Sequence, residues 1–176
     1  MKGSYKLNYY ISDLHFFHAN IIKFCNRPFH SVEEMNTILI KNWNNKVSES
    51  DNIYILGDIS WGTVEQTISV INQLKGNKFL IRGNHDHIIK YAEVSKLFNW
   101  IRDYIMIKDN GQKVVLFHYP INVWDCQFHG SIHLYGHVHN NYEQHSELLT
   151  LKNAYNVSVE MNDYEPKTLQ EIIKRV

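Results

Sequence analysis

Apolar residues in this chain fall into two rhythms, and the rhythm changes from segment to segment. Residues 9–12 form a short apolar run that ends at Asp13, which reads as a buried strand. Residues 20–24 read as a short helix, stopped before Pro28. Ser31 is placed as an N-cap, with Glu34 at the capping-box position. The helix it opens is predicted to run to about Val47, with Met35, Ile38, Leu39 and Trp43 on its apolar face. Residues 52–56 read as a buried strand bounded by Asp51 and Gly57. Thr63 caps a further helix that turns Val64, Thr67, Ile68 and Ile71 toward the core. Residues 74–77 are its exit turn, and residues 79–81 the next strand, ending at Arg82-Gly83.

Strand, helix, strand, helix, strand is the alternation of parallel pairing with helices laid over the sheet. The second half changes character. Residues 104–107 and 114–117 flank a segment containing Asn110-Gly111, a hairpin signal. Residues 132–135 are another strand before Gly136. Residues 154–159 alternate weakly and predict an antiparallel strand. Residues 168–173 predict a closing helix with Leu169, Ile172 and Ile173 inward. The expectation is one α/β domain over residues 1–176, with two packed mixed β-sheets flanked by helices.

Composition narrows the classes. Lys+Arg is 18 and Asp+Glu is 18, so formal net charge is zero with His neutral. Extended nucleic-acid binding usually shows a basic surplus, so it is not expected here. The start, Met1 to Lys6, lacks the apolar stretch of a signal peptide, and no apolar run is long enough to span a bilayer. Two cysteines, Cys25 and Cys126, have no metal-ligand spacing. A disulfide framework is not expected, and a reducing, cytoplasmic compartment is.

The 11 histidines redirect the reading, because many sit in short clusters where predicted strands end. The clusters are Asp13-Leu14-His15, Gly57-Asp58, Gly83-Asn84-His85-Asp86, His118, and Gly136-His137-Val138-His139. Each has a plain alternative. Gly-Asp is most often a turn, Asp13 beside His15 reads equally as a cap beside a structural histidine, and a lone histidine is more often packed than ligating. Together they bring carboxylate, imidazole and amide donors from five separated points, which suits a metal-dependent hydrolase. If strand geometry persists, Asp13 and His15 face the same way, as do His137 and His139 around Val138. His85 beside Asp86 fits a carboxylate-oriented imidazole. Trp61, Tyr119, Trp124 and Phe128 are candidate cleft walls. Among the other histidines, His129 is the expected cleft neighbour, His18 reads equally as a cleft or a helix residue, and His30, His87, His133 and His145 read as surface or packing.

This ordered set of motifs, from Ile11 to His139, resembles the calcineurin-like metallophosphoesterase superfamily. Asn20-Ile21-Ile22, Arg27-Pro28-Phe29 and Glu34-Met35-Asn36 are similar to its compact prokaryotic and phage branch. The resemblance implies a four-layer sandwich and two divalent transition-metal ions. Mn²⁺ leads, with Fe, Ni²⁺, Zn²⁺ or Co²⁺ as the other candidates. It assigns Asp13, His15 and His139 to one ion, Asn84, His118 and His137 to the second, and Asp58 to both. A bridging hydroxide would be the nucleophile. His85 would contact a phosphoryl oxygen and protonate the leaving oxygen, with Asp86 orienting it. Asn84, His85, Trp61, Tyr119 and Trp124 would meet a small phosphorylated substrate, a phosphodiester before others. A nucleotide pyrophosphatase is the alternative on the same centre. A binding module that keeps the fold is the non-enzymatic one. Arg27, Arg82, Lys90, Lys96 and Arg102 read as phosphate contacts or as surface solvation.

Overall fold

The computed structural model describes residues 6–141 and 143–175. Residues 1–5, most of the start read above for a leader, lie outside that range. Strands β1 (Asn8–Ile11), β2 (Asn52–Ile55), β3 (Asn77–Ile81) and β4 (Trp100–Arg102) pair in parallel in the order β4-β3-β2-β1. Strand β9 (Lys167–Thr168) adds to β1 antiparallel. The second sheet runs β5 (Tyr104–Asp109), β6 (Gln112–Phe117), β7 (Ile132–Tyr135), β8 (Ala154–Asn156). Its first pair is the expected hairpin, and its other two pairings are parallel.

Alternation along the strands builds the layers, because successive side chains point to opposite faces. Tyr9, Ile11, Ile53, Ile55 and Leu80 turn outward to the helices, in one cluster with Met35, Leu39, Trp43, Val70 and Ile71. Tyr10, Tyr54, Leu56 and Ile81 turn the other way and meet Val114, Leu116, Ile132 and Leu134 between the sheets. The helix layer is α1 (Ala19–Phe24), α2 (Val32–Lys46), α3 (Val64–Gln73) and α4 (Ala92–Ser95), with α5 (Leu169–Ile173) closing the chain. On the far face of the second sheet, His133 and Tyr135 meet Trp124 and Leu148, carried by loops with short 3₁₀ turns. Two mixed sheets flanked by helices in a four-layer sandwich is the architecture expected above. Among the described residues no helix is long and apolar enough to cross a membrane, and both cysteines are free thiols.

Helix α2 shows how local sequence sets this up. Met35, Leu39 and Trp43 recur every four residues and all are buried. Burying a side chain such as Leu39 stabilises by roughly 1.5–3 kcal/mol. The Trp43 indole N–H donates to the Lys75 carbonyl, so the polar end of the ring is satisfied. Ser31 caps the helix through the Glu34 N–H, as expected, but the Glu34 carboxylate accepts from His30 rather than from Ser31. Full capping boxes form instead at Thr63/Gln66 and Thr168/Glu171.

Three expectations need correcting. Strand β8 runs parallel to β7, not antiparallel, and stops at Asn156. Weak alternation carries no direction, and here the 136–153 connection returns the chain to the same end of the sheet. Ile173 is 36% exposed, whereas Leu169 and Ile172 are buried. A single-turn helix offers one inward pair at i and i+3, and Ile173 falls past it. Strand β4, strand β9 and helix α4 were not foreseen, being too short for either rhythm to register.

Candidate metal centre

Parallel pairing places the carboxyl ends of β1, β2 and β3 along one edge, and those of β6 and β7 along another. All five clusters leave these ends. The chain holds them together past the strands: Asp13 donates its N–H to Gly57, His15 to Asp58, and Gly136 to His118. Extended geometry does not continue through the ligand candidates. Asp13, His15, Asp58, His137 and His139 all have positive φ, from 50° to 71°. Aspartate and histidine tolerate this left-handed region better than most residues, yet five together mark a constrained site. The expectation that Asp13–His15 and His137–His139 are each aligned by strand pleating is therefore replaced by alignment through left-handed turns.

Short distances connect all seven candidates. Asp13 Oδ1 lies 3.9 Å from His139 Nε2, and the His139 ring stacks 5.1 Å from that of His15. Asp58 Oδ2 lies 3.7 Å from His15 Nε2 and 3.7 Å from His118 Nε2. Asn84 Oδ1 lies 3.0 Å from His118 Nε2 and 2.9 Å from His137 Nδ1. Two His/Asp groups, Asp13-His15-His139 and Asp13-Asp58-His118, bring ligand atoms within 4.8 Å of one another. Asp13 is common to both groups, and Asp58 Oδ2 faces one histidine of each, His15 and His118.

The donors fit divalent transition metals. Both nitrogens of His15 are buried without a hydrogen-bond partner, an unfavourable state unless something accepts their lone pair. Burial holds His15 far below the usual histidine range, so it stays neutral, as a ligand must be. His118 turns Nδ1 to the Leu56 carbonyl at 2.7 Å, which leaves Nε2 facing Asp58 and Asn84. His139 turns Nδ1 to Glu160 at 3.1 Å, which leaves Nε2 facing Asp13. Such outer partners fix the orientation of ligating imidazoles. Burial pulls His139 down, but its contacts with Cys25, Glu160 and Asp13 outweigh that and push it up to about 11. Burial raises Asp58 to about 7 against the opposing pull of His118. Both shifts favour the protonated forms, His139 as a cation and Asp58 as a neutral acid, so a metal ion bound here would compete with those protons.

Close approach at two glycines sets the spacing. A Cβ on Gly83 would sit 2.2 Å from Asp58 Oδ1, and one on Gly136 would sit 2.4 Å from Asp13 Oδ2. Gly136→Ala is accordingly expected to destabilise the protein by about 1–3 kcal/mol and to weaken metal binding. Denaturant titration with and without added Mn²⁺ checks both. An unchanged unfolding midpoint and metal affinity would mean that Asp13 relaxes freely.

Other residues differ from the sequence reading. Asp86 does not orient His85: its carboxylate accepts from the backbone N–H groups of Asp58, Ile59 and Gly83, which ties the β2 and β3 loops together. Burial raises its pKa, and those three bonds oppose the rise. Asp86 acts on the His85 ring through its charge alone, and the His85 backbone N–H donates to Asp58 Oδ1 at 2.9 Å. Trp124 is 6% exposed and packs on His133 away from the cleft, its indole bonded to Ser131. Phe128 and His129 are exposed and do not line the cleft. Tyr119 lies edge-on to His118 and His137, with centroids 4.9 and 4.6 Å apart. Trp61 lies 5.0 Å from His85.

Sequence reasoning missed the supports. Arg27, read as a phosphate contact or surface residue, is 4% exposed. Its guanidinium donates to the carbonyls of Asp13 and Leu14 and pairs with buried Glu160 at 2.8 Å. Burial alone would raise Glu160, but the His139 hydrogen bond and the charge of Arg27 bring it below its ordinary value. Ser12 and Ser158 place hydroxyls 2.6 and 2.8 Å from Asp13 Oδ2. Only Ser12, adjacent to Asp13, left a signal in the sequence. Glu160 and Ser158 lie over 140 residues from the β1 end they support, beyond any spacing rule.

Known proteins show the same frame. Residues 9–107 match the family described as calcineurin-like phosphoesterase. An uncharacterized protein of Methanocaldococcus jannaschii is 41% identical over 171 residues, covering 96% of this chain and 90% of that protein. The Gene 66 protein of Mycobacterium phage D29 is 29% identical over 75% of this chain and 78% of its own. The crystal structure of a protein of unknown function from Aquifex aeolicus superposes with a TM-score of 0.76 at 29% identity, covering 97% of this chain and all of that one.

Proposed function

The chain belongs to the calcineurin-like phosphoesterase family, and from that premise we propose that it hydrolyses a small phosphodiester with two bound divalent metal ions, Mn²⁺ foremost. The observation that carries this reading is Asp58 Oδ2, equidistant at 3.7 Å from the nitrogens of two histidines that belong to different ligand groups. Asp13, His15 and His139 would hold one ion, Asn84, His118 and His137 the other, and Asp58 both. The mixed oxygen and nitrogen set suits Mn²⁺, Fe, Co²⁺, Ni²⁺ or Zn²⁺ better than Ca²⁺. When bound, such a pair supplies positive charge for the phosphoryl oxygens and lowers the pKa of water.

The chain's own residues do the rest. His85 stands at the cleft with its backbone fixed on Asp58, so its ring is free to meet a phosphoryl or leaving oxygen. Burial, and the neighbouring His87 and His118, hold it below the ordinary histidine value. An arriving phosphate anion supplies the opposite charge and favours the protonated ring, which then donates to the departing oxygen. Trp61 stands beside this point, its ring 5.0 Å from that of His85, while Tyr119 lies edge-on to His118 and His137.

Two measurements test the proposal. Elemental analysis of fully loaded protein is expected to give two transition-metal ions per chain. Steady-state comparison of matched aryl phosphodiester, aryl phosphomonoester and nucleotide-anhydride substrates is expected to give the largest kcat/KM for the diester with Mn²⁺. A larger value for the anhydride would replace the reading with a pyrophosphatase. One ion per chain under saturating metal would overturn the two-ion centre.

A further inference from the structure

Two of the large hydrophobic side chains left exposed on this molecule share one cleft. Phe24 is 73% exposed and Trp61 is 49% exposed. Both line a cavity of about 580 Å³ that also contains His15, Asp58, His85, His137 and His139. That volume falls within the ordinary range for small-molecule sites, about 300–1,000 Å³. Exposed aromatics scattered singly need no explanation, but these are organised. The Trp61 ring stacks on the His18 imidazole at 4.3 Å with only 12° between planes. Phe24 meets the same imidazole edge-on, at 6.3 Å and 75°. His18 thus props both rings at the mouth of the metal centre. Neither aromatic is needed there for the core, which closes beneath α1 through Ile21.

We propose that Phe24, His18 and Trp61 form a subsite for a nucleobase, so that the substrate is a nucleoside phosphoester. This rests on the phosphoesterase reading above. Three observations select a base over an aliphatic group. First, a flat ring system gains from flat aromatic walls, and base–aromatic stacking works with every base because each has a π-face. Second, Asn20 and Asn141 line the same cavity. A carboxamide offers both donor and acceptor, matching the edge of a base. Third, the spacing is right. The Trp61 centroid lies 5.0 Å from that of His85. A group on Trp61 is therefore next to a phosphoryl group held at His85, so both positions serve neighbouring parts of one small substrate. Phe24 is then a specificity residue, acting on the part of the substrate remote from the bond that breaks.

Adenosine 5′-monophosphate and ribose 5-phosphate differ only in the base, and so separate this subsite from the phosphoryl site. Both are to be measured as competitive inhibitors of Mn²⁺-loaded protein, and by calorimetric titration, with inorganic phosphate as the third probe. Wild type is expected to bind adenosine monophosphate on the order of 10-fold or more tightly than ribose 5-phosphate. Phe24→Ala and Trp61→Ala are each expected to shrink that ratio several-fold while metal content stays at two ions. Trp61→Phe, which keeps a ring, is expected to restore most of it. Equal affinity for the two ligands in wild type overturns the subsite, as does a ratio that neither alanine variant moves. Failure of loaded wild type to bind even inorganic phosphate overturns the phosphoesterase reading, and the subsite with it.

Discussion

Replacing Asp58 by Asn is expected to strip the protein of most of its bound metal and nearly all of its turnover. The change keeps the size of the side chain. The Oδ1 position can still accept the His85 N–H, so the loop retains its shape. What goes is the negative charge between His15 and His118. Changing an outer partner of a ligand typically costs about 10–100-fold in affinity or activity, and removing a shared ligand charge should exceed that. The pH behaviour gives an independent check. Burial raises Asp58 from 3.8 to about 7, so the metal-free fold favours the protonated carboxyl. That contribution to stability is complete below the unfolded value near 3.8 and is lost as pH rises through about 7. A cation requires the ionised form and competes with the proton. The rise in Tm on adding Mn²⁺ is therefore expected to grow from about pH 4 to beyond about 7 in wild type, and to be small and flatter in the variant. Near-wild-type metal content and activity in Asp58→Asn would make Asp58 a turn residue.

His85→Ala is expected to do the reverse: keep the metal and lose the chemistry. The ring makes none of the ligand contacts described here, and its backbone bond to Asp58 survives truncation. Removing a general acid typically lowers the rate by roughly 10²–10⁴-fold. The loss should shrink for a leaving group that departs without a proton, so paired substrates with good and poor leaving groups distinguish a proton donor from a packing residue. Loss of both ions from the variant, shown by elemental analysis, would instead move His85 into the ligand set.

Much of this is legible in the sequence alone, and the reasons are physical. Strands at residues 9–12, 52–56 and 79–81 announce themselves because both faces are covered, so nearly every position is apolar. Asp13, Asp58 and Asn84 stand out because a polar residue after such a run must find partners at the strand end. Neither periodicity nor motif reveals how the seven donors are aimed. The left-handed turns at Asp13 and His15 come from close packing between loops, and no window of sequence carries that. The same blindness explains Asp86. Adjacency to His85 made it an orienting carboxylate, while three backbone amides on two loops held the prior claim. Trp124 follows the candidate ligand His118 closely in sequence, yet an intervening turn carries it to the far face of the sheet. Arg27 illustrates the opposite error, since a charged side chain is read as exposed unless its buried partner, here Glu160, is known.

The tight fit of Gly83 to Asp58 and of Gly136 to Asp13 limits how such an enzyme can change. Each glycine belongs to one motif and makes room for the candidate ligand of another. A longer ligand, such as glutamate at either aspartate, has nowhere to go unless a second position moves with it. Remodelling the centre one substitution at a time should therefore run almost entirely through inactive intermediates. Metal preference is more open to adjustment from outside, through groups such as Glu160 that set the orientation of a ligand without occupying its place. An engineer seeking a different metal should begin there and leave the aspartates and their glycines as one unit.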